Sequence, residues 1–384
     1  MIYLDNAATT SPKPQAVANA CAEAIKHLCA NPGRSAHATS QKAAEAIYSA
    51  RSKAAELFGA ESPEQVIFTQ NCTQSLNMVM KGLLHPGDRV VTSSMEHNAV
   101  MRPLTRLREQ GVNVDTAEIT VGDPDATVRA FEAAINPGTR LVIVTHASNV
   151  CGVRLPIERI GEICFKHGVL LAVDCAQTAG VLPINVKDMH INYLCIAPHK
   201  GLYAPMGTGM LIINGELPQT IIEGGTGTAS INMHQPDDMP ERYESGTVNV
   251  PGICGISAGI DFVRSKGINH IYSHEMALIG RAYDGLANIR KVRLYTKKPD
   301  ENFVPVLSFN IGSVNSVEAA DALAKYGIAT RAGLHCAPTA HKRLGTLSQG
   351  TVRICPSAFT SAYDIDRFLS AVQKISVGAE DIFY

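Results

Sequence analysis

Short, almost uninterrupted apolar runs recur along the first two thirds of the chain: QVIFT (65–69), DRVVTSS (88–94), RLVIVTHASN (140–149), VLLAVD (169–174), NYLCIAP (192–198) and GMLIIN (209–214). Runs of this length, bounded by polar turns, read as strands buried on both faces, and helical segments separate several of them. The alanine-rich stretches at about 16–28 and 40–58 have helical spacing, and Gly59 is placed to cap the second. This alternation predicts an α/β fold built on a mainly parallel, doubly covered sheet. After Pro251 the pattern changes to a long helical stretch, VPVLSFNI, a helix from about Ser316 to Tyr326, a loop holding Cys336, and TVRICPS. The expected organisation is a large domain over 15–250 and a smaller α+β domain made of 1–14 and 251–384.

Composition supports two lobes, since 384 residues of which 45% are hydrophobic are too many for one compact core. Thirty-four Lys+Arg against 35 Asp+Glu give a net charge of -1, which argues against nucleic acid or an anionic membrane as partner. A small molecule or another protein is expected instead. The start, MIYLDNAATTSPKP, lacks a basic, apolar leader, and no later run is long enough to span a bilayer, so a soluble, cytoplasmic protein is expected. Ten cysteines are scattered without a CxxC pair, which supports neither a zinc ribbon nor a dithiol motif, and no metal is expected. Most lie in apolar runs, but Cys336, in RAGLHCAP beside His335 and near Arg331, has an exposed and electropositive setting that favours thiolate.

Chemistry concentrates where two runs end. Asp174 closes VLLAVD and Lys200 follows NYLCIAP, and in open α/β sheets the carboxyl ends of strands face a common crevice. An amine there can carry pyridoxal 5'-phosphate as a Schiff base while the acid keeps the ring nitrogen protonated. Asn71-Cys72-Thr73-Gln74, between a strand and a helix, forms a natural phosphate cradle. GGTGT (224–228) is not a dinucleotide fingerprint, and no phosphate-loop lysine follows it.

Ten motifs, in order, carry a resemblance: YLDNAATT, NPGRSAH, EHNAV, THASNVCG, VDCAQTAG, PHKGLYAPMGTG, EGGTGTAS, ESGTVNVPG, RAGLHCAP and GTVRICPS. The chain resembles the cysteine desulfurases of the class V aminotransferase superfamily, fold type I pyridoxal-phosphate enzymes, and most closely the Suf-type branch that includes selenocysteine lyases. The resemblance implies a seven-stranded, mainly parallel sheet in the large domain. It further implies Lys200 as the cofactor-bearing lysine, Asp174 on the ring nitrogen, Gln177 on the ring oxygen and His97 stacked on the ring. Thr73, the backbone of Cys72 and His199 would hold the phosphate, with Gly225 or Thr247 reaching the phosphate of a neighbouring subunit in a homodimer. Asn149 and Arg353 would meet the substrate carboxylate, with Arg331 and the region of Arg34 and His37 close by.

The implied reaction converts L-cysteine to L-alanine, with Lys200 as acid and base and Cys336 taking the sulfur as a persulfide for an acceptor protein. Two alternatives stand beside it: a selenocysteine lyase or cysteine/cystine C–S lyase using the same pocket, and a sulfur-relay binding protein on a decayed scaffold. Two departures from the Suf-type pattern bear on the cofactor. Ala197 and Pro198 stand where serine and glycine are usual, which removes one phosphate hydrogen bond. Cys72 stands where threonine or alanine is common, a change that leaves backbone donation intact.

Overall fold

The computed structural model describes residues 1–32, 37–228 and 230–378. Strand β1 (Ile2–Tyr3) opens the chain and is followed by β2 (Val66–Thr69), β3 (Arg89–Ser93), β4 (Asn113–Ala117), β5 (Thr139–Thr145), β6 (Leu170–Asp174), β7 (Tyr193–Ile196) and β8 (Gly209–Ile213). Strands β2 to β8 form one seven-stranded sheet in the order β2-β8-β7-β6-β5-β3-β4. The pairs from β4 to β7 are parallel, and β8 runs antiparallel to both β7 and β2. The expected mainly parallel sheet is therefore present. β4 was not expected from sequence, because NVDTA carries only two apolar residues and lies at the sheet's edge, where one side is wet.

The helices explain why the strand runs are so continuously apolar. They are α1 (Gln15–His27), α2 (Ala38–Phe58), α3 (Cys72–Leu83), α4 (Asn98–Glu109), α5 (Pro124–Ala134), α6 (Ile157–His167), α7 (Val250–Lys266) and α8 (Ile268–Ala287). Along β5, Leu141 and Ile143 pack into one core with residues of α3 and α4, while Val142 and Val144 pack into the opposite core with α2, α5, α6 and α7. Both faces are dry, so no polar alternation is tolerated. Gly59 caps α2 in the left-handed conformation at φ 71°, as its place after the apolar period suggests.

The C-terminal part adds β9 (Val292–Leu294), β10 (Leu307–Ile311), β11 (Ile328–Ala329), β12 (Arg331–Gly333) and β13 (Thr351–Ile354), with α9 (Ser316–Lys325), α10 (Pro338–Leu344) and α11 (Ala362–Gly378). Four of these strands form an antiparallel sheet in the order β12-β13-β10-β9. β1 pairs in parallel with β11, and Ile2 and Leu4 enter the same small core as Phe309, Ile354 and Phe368. The expected boundary at residue 251 falls within the first turn of α7. Val250, Ile253, Ile256, Ile260 and Val263 of α7 and Ile271 of α8 belong to the large core, whereas Leu278, Ile279, Ala282 and Leu286 belong to the small one. We place the division inside α8, between Ile271 and Leu278.

Glu275 lies at that division, buried, with Tyr203 Oη donating to its Oε1 at 3.3 Å. The same phenol oxygen accepts from the Ala358 amide at 2.8 Å, so one network ties the β7–β8 loop, α8 and the C-terminal lobe. Burial pushes the Glu275 carboxyl up from 4.5 to about 8. A raised folded value means the group stabilises fully below about 4.5 and loses that contribution as pH rises through about 8. Glu275→Gln, which stays uncharged, is therefore expected to show a smaller fall in Tm than the wild type between pH 5 and pH 8. Calorimetry of both proteins checks this, and equal slopes would refute it.

Candidate functional site

A cleft of about 260 Å³ opens at the carboxyl ends of the parallel strands, between the two lobes. β6 delivers Asp174 to its floor, 4% exposed, where Oδ1 accepts from the Ala176 amide at 2.9 Å and faces the Cys72 thiol at 3.6 Å. Burial pushes the Cys72 thiol well up, so it stays an S–H beside the carboxylate. Lys200 follows β7 and is half-buried in the wall of the same cleft. Burial pulls its ammonium down against the attraction of Asp174, a balance that favours a free amine more than an exposed lysine would have.

His97 caps α4, with Nδ1 accepting from the Ala99 amide at 3.0 Å. That bond places the proton of the neutral ring on Nε2. Burial lowers its pKa, with Asp174 opposing, so the ring is neutral near pH 7. On the other side of the cleft, Asn71 caps α3 by accepting from the Gln74 amide at 2.9 Å. The amides of Cys72 and Thr73, in the first helical turn, have no intrahelical acceptor and line the cleft. His199 is also in the wall, its pKa pushed down to about 4 by burial, and its Nδ1 is buried without a hydrogen-bond partner.

The small lobe closes the cleft. Arg353 on β13, 2% exposed, gives Nη2 to Asp5 Oδ1 and Nη1 to the Asn149 carbonyl, both at 2.9 Å, while its Nε is buried and unpartnered. Its guanidinium is thus partly committed within the protein, which narrows the carboxylate-binding role expected for it. Arg331 on β12 is exposed and lines the same cleft. Cys336 lines it too, on a turn in which His335 (φ 47°) and Cys336 (φ 56°) are both left-handed. That conformation is costly for residues with a Cβ, and two bonds hold it: Asn149 Nδ2 donates to the His335 carbonyl, and the Asn98 amide to the Cys336 carbonyl, both at 2.7 Å.

His335 does not supply the positive setting expected for the thiol. Burial pushes its pKa down to about 2 and Nε2 lies against Thr351, so the imidazole is neutral and Arg331 is the exposed cation beside the loop. Asn149→Ala is expected to cost about 1 kcal/mol and to speed amide exchange at 334–337, read by hydrogen exchange with mass analysis. Unchanged exchange there would show that the loop does not depend on this bond.

Of the residues singled out from sequence, Cys72, Thr73, His97, Asn149, Asp174, Gln177, His199, Lys200, Arg331, Cys336 and Arg353 line this one cleft. Gln177 already donates Nε2 to the Ala7 carbonyl at 3.1 Å. His37, Gly225 and Thr247 do not line it. His37 accepts from the Ser40 amide at the start of α2, and Arg34 lies outside the described residues. Thr247 lines a neighbouring recess with Gln70 and Gln74, on the far side of the α3 turn. Three participants were not foreseen. Asp5 belongs to YLDNAATT, whose acid could have been paired with the arginine of GTVRICPS. The Asn149 contact and the left-handed turn at His335 depend on tertiary packing and leave no local signal.

The geometry fits pyridoxal phosphate: unpaired helix-start amides and an orphaned imidazole nitrogen for an anion, a buried carboxylate on the floor and a desolvated amine. Among the described residues no cluster of three potential metal ligands occurs, and no helix is long and apolar enough to cross a membrane.

Comparison with known proteins agrees in outline. The sequence model of the aminotransferase class-V family matches residues 2–368. A probable cysteine desulfurase of Methanothermobacter thermautotrophicus is 33% identical, over 98% of this chain and 94% of its own. A cysteine desulfurase of Klebsiella pneumoniae is 30% identical over 98% and 93%. Among solved structures, an apo cysteine desulfurase from Thermococcus onnurineus superposes with a TM-score of 0.92 at 32% identity, covering 98% of this chain and 95% of the other. The Escherichia coli cysteine desulfurase CsdA, in an S-sulfonic acid form, gives 0.87 at 29% identity over 97% and 94%.

Proposed function

Since this chain belongs to the class-V aminotransferase family, among the cysteine desulfurases, we propose that it is a pyridoxal-phosphate-dependent enzyme converting L-cysteine to L-alanine and passing the sulfur through Cys336. The observation that carries this reading is the meeting of Lys200, Asp174 and Cys336 in one cleft although they come from different lobes. Lys200 and Asp174 would hold the cofactor, with the amides of Cys72 and Thr73 and His199 available for its phosphate. When bound it supplies an electron sink for the substrate α-carbon.

The chain's own groups do the rest. Arg353 Nε, unpartnered and buried, and exposed Arg331 are the donors for the substrate carboxylate. Lys200 Nζ, its basicity lowered by burial, takes the α-proton and returns protons to the substrate carbons. His97 offers a neutral Nε2–H next to the reacting atoms. The Cys336 thiolate attacks the substrate sulfur. A sulfur–sulfur bond forms, the Cβ–S bond breaks, and its electron pair stays with the substrate carbon, which is protonated to give alanine. The persulfide on Cys336 then passes to an acceptor protein. Ala197 adds no hydroxyl to the phosphate site, so Thr73 and His199 carry more of that work.

The homodimer belongs to the same proposal. Met206, Ile222, Ile231 and Met233 are between 49% and 98% exposed, apolar side chains that a second copy would cover. In that homodimer Gly225 or Thr247 would reach the partner's phosphate. The test of function is alanine release from L-cysteine by the purified protein supplied with pyridoxal phosphate. Release that depends on both Lys200 and Cys336 supports the reading, and absence of alanine overturns it.

A further inference from the structure

The carbonyl of His199, the residue before Lys200, is the most crowded acceptor in the site. Four donors from the N-terminal segment converge on it: Thr9 Oγ1 at 3.1 Å, the Thr10 amide at 3.2 Å, Thr10 Oγ1 at 3.2 Å and Lys13 Nζ at 2.6 Å. Thr10 Oγ1 also reaches the Lys200 carbonyl at 3.1 Å, and Lys13 Nζ reaches Thr10 Oγ1 at 2.7 Å. A carbonyl oxygen has two lone pairs, so these donors exceed what it needs, and the short bond from Lys13 is the charge-assisted one. Burial pulls the Lys13 ammonium down to about 8 with no neighbouring charge as a cause. A half-buried lysine spent on a main-chain oxygen is an expensive arrangement for a surface cation, and its partner is the peptide that carries Lys200.

The peptide it holds has little freedom on its other side. The Lys200 amide donates to the Ala197 carbonyl at 3.1 Å, Tyr203 to Lys200 at 2.8 Å and Ala204 to Pro198 at 3.0 Å. Gly201 lies so close to the Ala179 carbonyl that an added Cβ would meet it at 2.4 Å. The β7–β8 loop is thus gripped from below by its own turn and from the side by the N-terminal segment.

We propose that Lys13, with Thr9 and Thr10, is a positioning device for Lys200, fixing the His199–Lys200 peptide so that the lysine amine is directed into the cleft. The role of Lys200 rests on the function proposed above, whereas the grip itself is a property of the chain. Lys13→Met keeps the aliphatic stem and removes the donor; Lys13→Arg keeps the charge.

The experiment has two arms on the purified full-length protein. In the first, amide exchange at Lys200, Tyr203 and Ala204 is expected to be about tenfold or more faster in Lys13→Met than in wild type, and restored most of the way by Lys13→Arg. In the second, kcat for alanine release falls about tenfold in Lys13→Met while KM for L-cysteine changes little, as a misdirected proton carrier requires. Exchange at these amides equal to wild type, in a Lys13→Met protein that is folded by circular dichroism, overturns the proposal. So does faster exchange accompanied by an unchanged kcat. Borohydride reduction of the wild type, followed by peptide mapping, separates this from the functional reading. If the cofactor is not fixed at Lys200, the catalytic reading fails, and the exchange arm still decides whether Lys13 grips the peptide.

Discussion

Lys200→Ala is expected to lower alanine formation from L-cysteine by roughly 10⁴-fold or more and to leave no borohydride-reducible cofactor on the protein. The size follows from what is lost together. Lys200 is the half-buried amine of the cleft, and in the proposed function it carries protons at the substrate carbons. Its neighbours cannot substitute. His199 is held neutral with a pKa near 4, and Lys13 is bound to a carbonyl. Folding should survive, because the burial penalty on the Lys200 ammonium outweighs its attraction to Asp174. The measurements are steady-state alanine release and visible absorption after adding pyridoxal phosphate; residual turnover within tenfold of wild type would contradict the assignment.

Cys336→Ala should behave differently. Cofactor capture at Lys200 is expected to persist, while desulfuration of L-cysteine falls by roughly 100-fold or more, since the sulfur then has no thiolate acceptor. Stability should not suffer, because Cys336 is exposed, and its hydrogen bond from Asn98 is to the main chain. Cys336→Gly offers an internal control: at φ 56° glycine removes a steric cost, so it should be inactive yet more stable by about 1 kcal/mol. Such a result would show a thiol held in a strained turn for its chemistry. Loss of stability in the glycine variant would instead mean that the turn depends on the side chain.

Much of the large lobe was legible from sequence because both faces of its sheet are covered. Dryness on two sides leaves unbroken apolar runs, and the ends of VLLAVD and NYLCIAP point directly to Asp174 and Lys200. Edge strands were harder: β4 is half wet, and the two- and three-residue strands β1, β11 and β12 are too short for any period. Pro251, read from sequence as the boundary between lobes, marks a helix start, with Asn249 as its cap, and the helix it opens packs into the large core. At the site, residue identity was readable wherever a motif fixes a strand end or a helix cap, as with His97 and Asn71. Partnerships across the fold were not. That Arg353 is held by Asp5, 348 positions away, and that Asn149 holds the His335 carbonyl, are consequences of how the lobes meet.

Intact mass after incubation with L-cysteine and pyridoxal phosphate, without added reductant, tests the central claim most directly. The expected result is a gain of one sulfur atom on the wild type, removable by dithiothreitol, mapped to the peptide containing Cys336 and missing from Cys336→Ala. Alanine released at the normal rate with no sulfur on Cys336, or the same sulfur gain in Cys336→Ala, would contradict it.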